Sequence, residues 1–277
     1  MQLERFYKAK QAEIAQLRQL AELGQLPPPF GGRRPDFAGA LQKGGAGPVA
    51  VIAEYKRASP SRGVICQALS VDDVARQYAA AGASCLSILT EEDHFDGKLA
   101  FLERAHAVAP TTPLLRKDFI FESLQVQATA ATPASALLLI VRLTPQVKIL
   151  RQLREEAASF GIASVVEVFG EDDLQLARES GAEIIQVNAR DLQTFAVDRK
   201  ACLALARKYP PREGEIWIQA SGVGKPEHLH EARDAGFTAA LVGTALMEHG
   251  QPGPALAALL ECPNVQAQKS AGEAHAS

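Results

Sequence analysis

Pro48-Val49-Ala50-Val51-Ile52-Ala53-Glu54-Tyr55-Lys56-Arg57-Ala58-Ser59-Pro60-Ser61 is the stretch at which this chain changes character. An apolar run ends in a carboxylate and an amine two residues apart, then breaks into a small, polar, Pro-containing turn. Side chains alternate along a strand, so Glu54 and Lys56 share one face. Two charges at the end of a buried strand cost stability unless they are paired or used, and a plain core strand would carry Val or Leu there. The stretch reads as a strand whose end is the rim of a site.

From this point on, short apolar runs alternate with amphipathic helical patterns. The runs are Val49–Glu54, Ser84–Thr90, Pro113–Arg116, Ala136–Val141, Ser164–Val168, Glu183–Asn188, Glu215–Ala220 and Ala239–Gly243. Helical patterns follow them, among them Asp72–Ala81, Leu99–Val108, Glu122–Ala130, Pro145–Ser159, Glu171–Ser180, Asp198–Lys208, Pro226–Ala235 and Pro254–Leu260. Gly82, Gly181 and Gly236 each fall just after a helix, where a C-terminal cap wants a residue tolerant of positive φ. Ser70 ahead of Asp72 and Asp73 supplies an N-cap and first-turn acidic groups. Eight β-then-α units, on average roughly 27 residues apart, predict a (β/α)₈ barrel, with a doubly wound sheet as the structural alternative.

Upstream, residues 2–23 carry Leu3, Phe6, Tyr7, Ile14, Leu17 and Leu20 at helical spacing, closed by Gly24 and Pro27-Pro28-Pro29. A short helical piece is expected at Phe37–Leu41. The division is thus a helical extension over 1–48, a barrel over 49–262 and a disordered tail over 263–277.

With 47% hydrophobic and 22% charged residues the composition is that of a soluble globular protein, and a net charge of −3 gives no reason to expect nucleic acid or a membrane as partner. Any anionic ligand must be held by local cations and backbone amides. The four cysteines, Cys66, Cys85, Cys202 and Cys262, form no Cys-x-x-Cys pair, and Cys85 and Cys202 sit in apolar patterns as reduced core residues. Met1–Arg5 lacks an apolar signal core and Ala136–Val141 is far too short to span a bilayer, so the expected address is cytoplasmic. A monomer is the default expectation.

In a barrel of this kind the chemistry sits where the strands finish. Those positions hold Glu54 and Lys56, Thr90-Glu91, Lys117-Asp118, Arg142, Glu167, Asn188 with Arg190, Ser221-Gly222 and Gly243-Thr244. Each also has a plain reading: rim salt bridges for Glu54, Lys56 and Glu167, a loop cation for Lys117, a strand cap for Asn188. Against the plain reading, Glu167 lies between Val166 and Val168, inside a buried run where a lone carboxylate should be partnered or functional. Ser221-Gly222-Val223-Gly224 and Gly243-Thr244-Ala245 follow the seventh and eighth strands, where many barrels cradle a phosphate with backbone amides. Gly224-Lys225 is not a nucleotide P-loop, because the upstream Gly is missing and Pro226 replaces the hydroxyl residue. His228 and His230 point different ways on a helix and suit a surface role better than metal ligation.

The runs Val51–Ser61, Ser87-Ile88-Leu89-Thr90-Glu91-Glu92, Leu114-Leu115-Arg116-Lys117-Asp118-Phe119-Ile120, Val187-Asn188-Ala189-Arg190-Asp191-Leu192 and Leu241-Val242-Gly243-Thr244-Ala245-Leu246-Met247 together resemble indole-3-glycerol phosphate synthase. The likeness runs from the N-terminal helix to about residue 260. It implies a (β/α)₈ fold with an N-terminal helical extension and no metal or organic cofactor. The implied reaction converts 1-(o-carboxyphenylamino)-1-deoxyribulose 5-phosphate, a phosphorylated small molecule, into indole-3-glycerol phosphate with loss of CO₂ and water. By residue-wise matching Lys117 would be the general acid, Glu167 the general base and Lys56 the partner of the aryl carboxylate. Glu54 and Asn188 would orient substrate and lysine, while Ser59, Arg190, Ser221, Gly222, Gly243 and Thr244 would hold the phosphorylated end.

Two departures stand out. The family's seventh strand usually ends Glu-Ser-Gly, where this chain has Ala220-Ser221-Gly222; a polar positioning group is lost, or Gln219 takes over part of its role. Before the fourth strand Pro133-Ala134-Ser135-Ala136 replaces Gly-Ala-Asp-Ala, a change of turn rather than of chemistry. Two other readings fit the same features: another phosphate-binding barrel enzyme (a sugar-phosphate isomerase or lyase), or a relative that binds the ligand without turnover.

Overall fold

All eight apolar runs are strands in the computed structural model, which describes residues 3–60 and 62–260. They are β1 Ala50–Tyr55, β2 Cys85–Leu89, β3 Leu114–Ile120, β4 Ala136–Ile140, β5 Ala163–Val168, β6 Ile184–Asn188, β7 Ile216–Ala220 and β8 Ala239–Val242. Every neighbouring pair is parallel, and β1 pairs with both β2 and β8, so the sheet closes into a (β/α)₈ barrel. Closure removes the edges of this sheet.

The helices are α1 Glu4–Glu22, α2 Phe37–Lys43, α3 Val71–Ala80, α4 Phe101–Val108, α5 Ser123–Ala130, α6 Val147–Ser159, α7 Glu171–Glu179, α8 Arg199–Lys208, α9 Pro226–Asp234, α10 Thr244–Met247 and α11 Pro252–Leu260. The capping signals act as read: Ser70 Oγ accepts from the Asp73 amide at 3.2 Å, and Gly82, Gly181 and Gly236 adopt φ of 91°, 83° and 94°. The short α10, directly after β8, carries no apolar period of its own and is invisible in the sequence. The expected barrel limit at residue 262, Cys262 and the expected tail lie outside the described residues.

Alternation sorts the strand side chains into two populations. Ile52, Leu115, Leu138, Val165, Ile218 and Leu241 point inward and pack as one cluster, while Val51, Leu114, Val166 and Trp217 face the helices. Cys85 is inward and Cys202 outward on α8; both are buried and free, and burial pushes the Cys202 thiol up to about 12 and raises Cys85 as well. Neither thiol is a nucleophile at neutral pH.

The third strand departs from its expected end. It does not stop at Arg116 but continues through Lys117 and Asp118 to Ile120, with a register shift against β4 between Arg116 and Ile120. Lys117 is therefore a strand residue and not a loop cation. The charges that made the segment look like a loop are matched by α1. Lys10, buried on the core-facing stripe of α1 with Phe6, Ile14 and Leu17, places Nζ 2.9 Å from Asp118 Oδ1 and pairs with Glu13. Arg116 Nη2 lies 2.9 Å from both Glu13 Oε1 and Asp118 Oδ2, and Thr90 Oγ1 donates to Asp118 Oδ2 at 2.6 Å. The backbone can stay extended because every buried charge on it has a partner.

The altered segment ahead of β4 is likewise held by a distant residue. Arg34 donates from Nε to the Ala134 carbonyl at 2.9 Å and from Nη2 to those of Ala130 and Thr132 at 2.6 and 3.0 Å.

Candidate active site

The C-terminal ends of the strands surround an open cavity. Glu54, Lys56, Lys117, Glu167, Asn188 and Arg190 all line it, as do Ser59, Ser221 and Thr244. Lys117 and Glu167, from β3 and β5, thus face one space. A second lobe adjoins it and adds Gly222 and Gly243 together with Arg62 and Lys225. The residues to which the resemblance gives a role all line one or other of these lobes.

Glu54 and Lys56 form an ion pair, Nζ to Oε1 at 2.8 Å, and Ser87 Oγ donates to the other carboxylate oxygen at 3.4 Å. Burial alone would raise the Glu54 carboxyl, but the ammonium groups of Lys56 and Lys117 outweigh it and hold the group below its ordinary value. Glu54 is therefore a carboxylate at neutral pH, acted on by one lysine just past the end of β1 and another on β3. The salt bridge of the plain reading exists, and it stands inside the cavity.

Asn188 also does two things. Its Oδ1 accepts from the Arg190 amide at 3.0 Å, the expected strand cap, so what remains to offer a ligand is its pair of N–H donors. Arg190 lies near a second guanidinium, and burial followed by the Arg62 charge lowers its proton affinity. Arg62 is itself paired with Glu248, Nη1 to Oε2 at 2.7 Å, so the two guanidiniums and one carboxylate stand beside the glycine-bearing turns.

Those turns are specialised. Ser221 and Gly222 both adopt left-handed backbone, at φ 68° and 77°, and a Cβ on Gly222 would stand 2.9 Å from Val197 Cγ1. A serine there carries local strain that the rest of the barrel must hold in place. Gly243 is needed for a different reason, close approach: a Cβ there would lie 2.5 Å from Glu54 Oε1. Gly243→Ala should drive Glu54 off Lys56. A loss of at least about tenfold in kcat/KM is expected from disrupting a buried charged contact of this kind. Steady-state kinetics on the purified variant check this, and an unchanged kcat/KM would show that the pair tolerates displacement.

Sequence reasoning missed the aromatic part of the cavity. Phe6 from α1, Phe95 from the loop after β2 and Phe119 from β3 line the mouth, with Phe6 and Phe119 stacked at 4.2 Å between ring centroids. Phe119 could have been found, since it shares strand parity with Lys117, but nothing local says that Phe6 reaches across to it. Arg142, a strand-end residue in the sequence reading, turns aside to Asp173 at 2.9 Å. Gln219 does not replace the missing polar group at position 220. Ile218 and Ala220 belong to the inward cluster, so Gln219 faces outward; it is fully buried, and neither side-chain polar atom has a hydrogen-bond partner among the described residues.

Comparison with known proteins bears on this arrangement. The family model for indole-3-glycerol phosphate synthase matches residues 3–259. An indole-3-glycerol phosphate synthase of Burkholderia ambifaria is 39% identical over 259 residues, covering 92% of this chain and 97% of that protein. One of Chromobacterium violaceum is 41% identical over 233 residues, covering 82% and 85%. Among solved structures, a 3-hexulose-6-phosphate synthase superposes with a TM-score of 0.61 at 15% identity, over 76% of this chain and 98% of that one, which is a likeness of fold alone. With a whole-length family match, near-complete coverage of relatives at this identity and the expected barrel beneath them, the chain belongs to the indole-3-glycerol phosphate synthase family.

Proposed function

We propose that the protein closes the indole ring of 1-(o-carboxyphenylamino)-1-deoxyribulose 5-phosphate, releasing CO₂ and water to give indole-3-glycerol phosphate. The observation that carries the residue assignments is the convergence of Lys117, Glu167 and the Glu54–Lys56 pair on one aromatic-lined cavity next to the glycine-bearing turns.

The geometry supports a consistent division of labour. The phosphate lies in the second lobe, against the backbone of Ser221-Gly222 and Gly243-Thr244 and the cations Arg62, Arg190 and Lys225. The aryl ring lies among Phe6, Phe95 and Phe119, with its carboxylate toward Lys56. The ring carbon that bears the carboxylate attacks the ketone carbon; Lys117 gives the carbonyl oxygen a proton, and the carboxylate leaves as CO₂ to restore aromaticity. Dehydration needs a second proton on the new hydroxyl as it departs and a base to take a proton from the ring system; Lys117, reprotonated by solvent water between the two steps, gives the one and Glu167 takes the other. Glu54, held as a carboxylate between two ammonium groups, fixes the lysines, and the Asn188 N–H donors orient the hydroxyl.

The direct test is turnover of the linear substrate by purified protein without additions, followed by indole fluorescence. Lys56→Ala should raise KM by about tenfold to a hundredfold, the worth of a charge-assisted hydrogen bond to carboxylate. Retention of wild-type KM would remove Lys56 from carboxylate binding, and a sugar-phosphate isomerase activity indifferent to Lys56 would replace the reading altogether.

A further inference from the structure

Strand β6 directs Ile184, Gln186 and Asn188 toward the barrel axis, and Gln186 is the unexpected member. It is fully buried one layer below Asn188, in register with Glu167 on β5 and with the apolar Ile218 on β7. Its Nε2 donates to Glu167 Oε2, while its Oε1 has no hydrogen-bond partner among the described residues. Exchanging the amide oxygen and nitrogen would set a carbonyl oxygen against a carboxylate, so charge fixes the assignment. An amide satisfied at one end only is a costly filler for a barrel layer that leucine would fill without penalty.

The surroundings of Glu167 say what the amide is for. The carboxylate is buried, its register neighbour on the other side is Ile140, and no cation pairs with it among the described residues. At the mouth, β7 presents only Ala220 beside Asn188. Polar support for Glu167 therefore comes from β6, from below, and not from β7. We propose that Gln186 is a positioning residue for the base: it holds Oε2 and leaves Oε1 of Glu167 as the oxygen that meets a substrate proton. This rests on the role proposed above for Glu167.

Gln186→Met keeps length and volume but lacks the donor. Its kcat should fall by about tenfold to a hundredfold, the range expected for losing one hydrogen bond to a charged catalytic group. KM should stay within about twofold, and the melting temperature should fall only by a few degrees, since the substitution removes an unpaired acceptor from the core but leaves Glu167 Oε2 without its donor. A kcat within twofold of wild type overturns the proposal, as does a fall in melting temperature with no change in kcat. Independently of turnover, the Gln186 carboxamide signals in ¹⁵N-glutamine-labelled protein, assigned by their loss in Gln186→Met, should shift on Glu167→Gln. Unmoved signals overturn the contact. Wild-type protein without any turnover would instead refute Glu167 as a base, and this proposal with it, while the carboxamide shift still reports the contact.

Discussion

Replacing Lys117 by methionine is expected to reduce kcat by about 10²–10⁴-fold, the usual cost of deleting a positioned proton donor. The substitution suits the site because methionine keeps the stem of the side chain, and Lys117 is half-buried at the cavity mouth and not part of the packed core. The fold should survive, with one secondary effect. Lys117 is one of the two cations that hold Glu54 in its charged form, so the variant leaves Lys56 alone to do so and the Glu54 carboxyl moves upward. Ligand binding to the phosphate lobe, measured by calorimetry with indole-3-glycerol phosphate, should persist. A variant that binds this product normally and turns over at the wild-type rate would deny Lys117 any part in proton transfer.

Asp118→Ala should be the most destabilising single change in this region. The carboxylate is fully buried and accepts from Lys10, Arg116, Thr90 and the Phe119 amide at 2.6–2.9 Å. Removing it leaves two buried cations to share the single carboxylate of Glu13, and breaking a buried pair by deleting one partner costs about 3–5 kcal/mol. A melting temperature lower by about 6–20 °C follows at the usual slope for a protein of this size. Activity should fall at temperatures where the variant is still folded, because Asp118 lies between Lys117 and Phe119 on the same strand.

The same residue gives a pH signature. Burial opposes ionisation of Asp118, but Arg116 and Lys10 overcome it and bring the group down to about 2. A carboxyl depressed in the folded state contributes stability above its unfolded value near 4, and that contribution disappears as pH falls toward 2. Roughly 2 kcal/mol should be lost across that window. Urea unfolding of wild type at pH 6, 4 and 2.5 measures it; Asp118→Ala should lack this component of the acid dependence, and an identical slope in both proteins would deny it.

Much of this was legible in the residues. The alternation of apolar runs with capped helices named the barrel, and most of the polar groups read at successive strand ends line one cavity, because closure brings all strand ends to one rim. The limit at Arg116 was misread for a physical reason. A Lys-Asp pair in an extended segment looks like exposed loop unless its counter-charges are known, and Lys10 and Glu13 stand about a hundred residues earlier on a helix. The aromatic mouth was hidden for the same reason: Phe6 and Phe119 are far apart in sequence and stack only once α1 is laid across β3.

Gln186 and Gln219 show where the boundary between the two kinds of information falls. Both are glutamines near the end of an apolar strand, and nothing local distinguishes them. The sequence by itself determined the alternation along each strand, the order of the strands and the chemical groups that the barrel could bring to its rim. Which parity faces inward, and which neighbour each inward group meets, was decided only when the sheet closed. Register across β5, β6 and β7 puts Gln186 against Glu167 and turns Gln219 away, because pairing between strands is fixed by the packing of the whole barrel and a shift of one residue reverses every side chain.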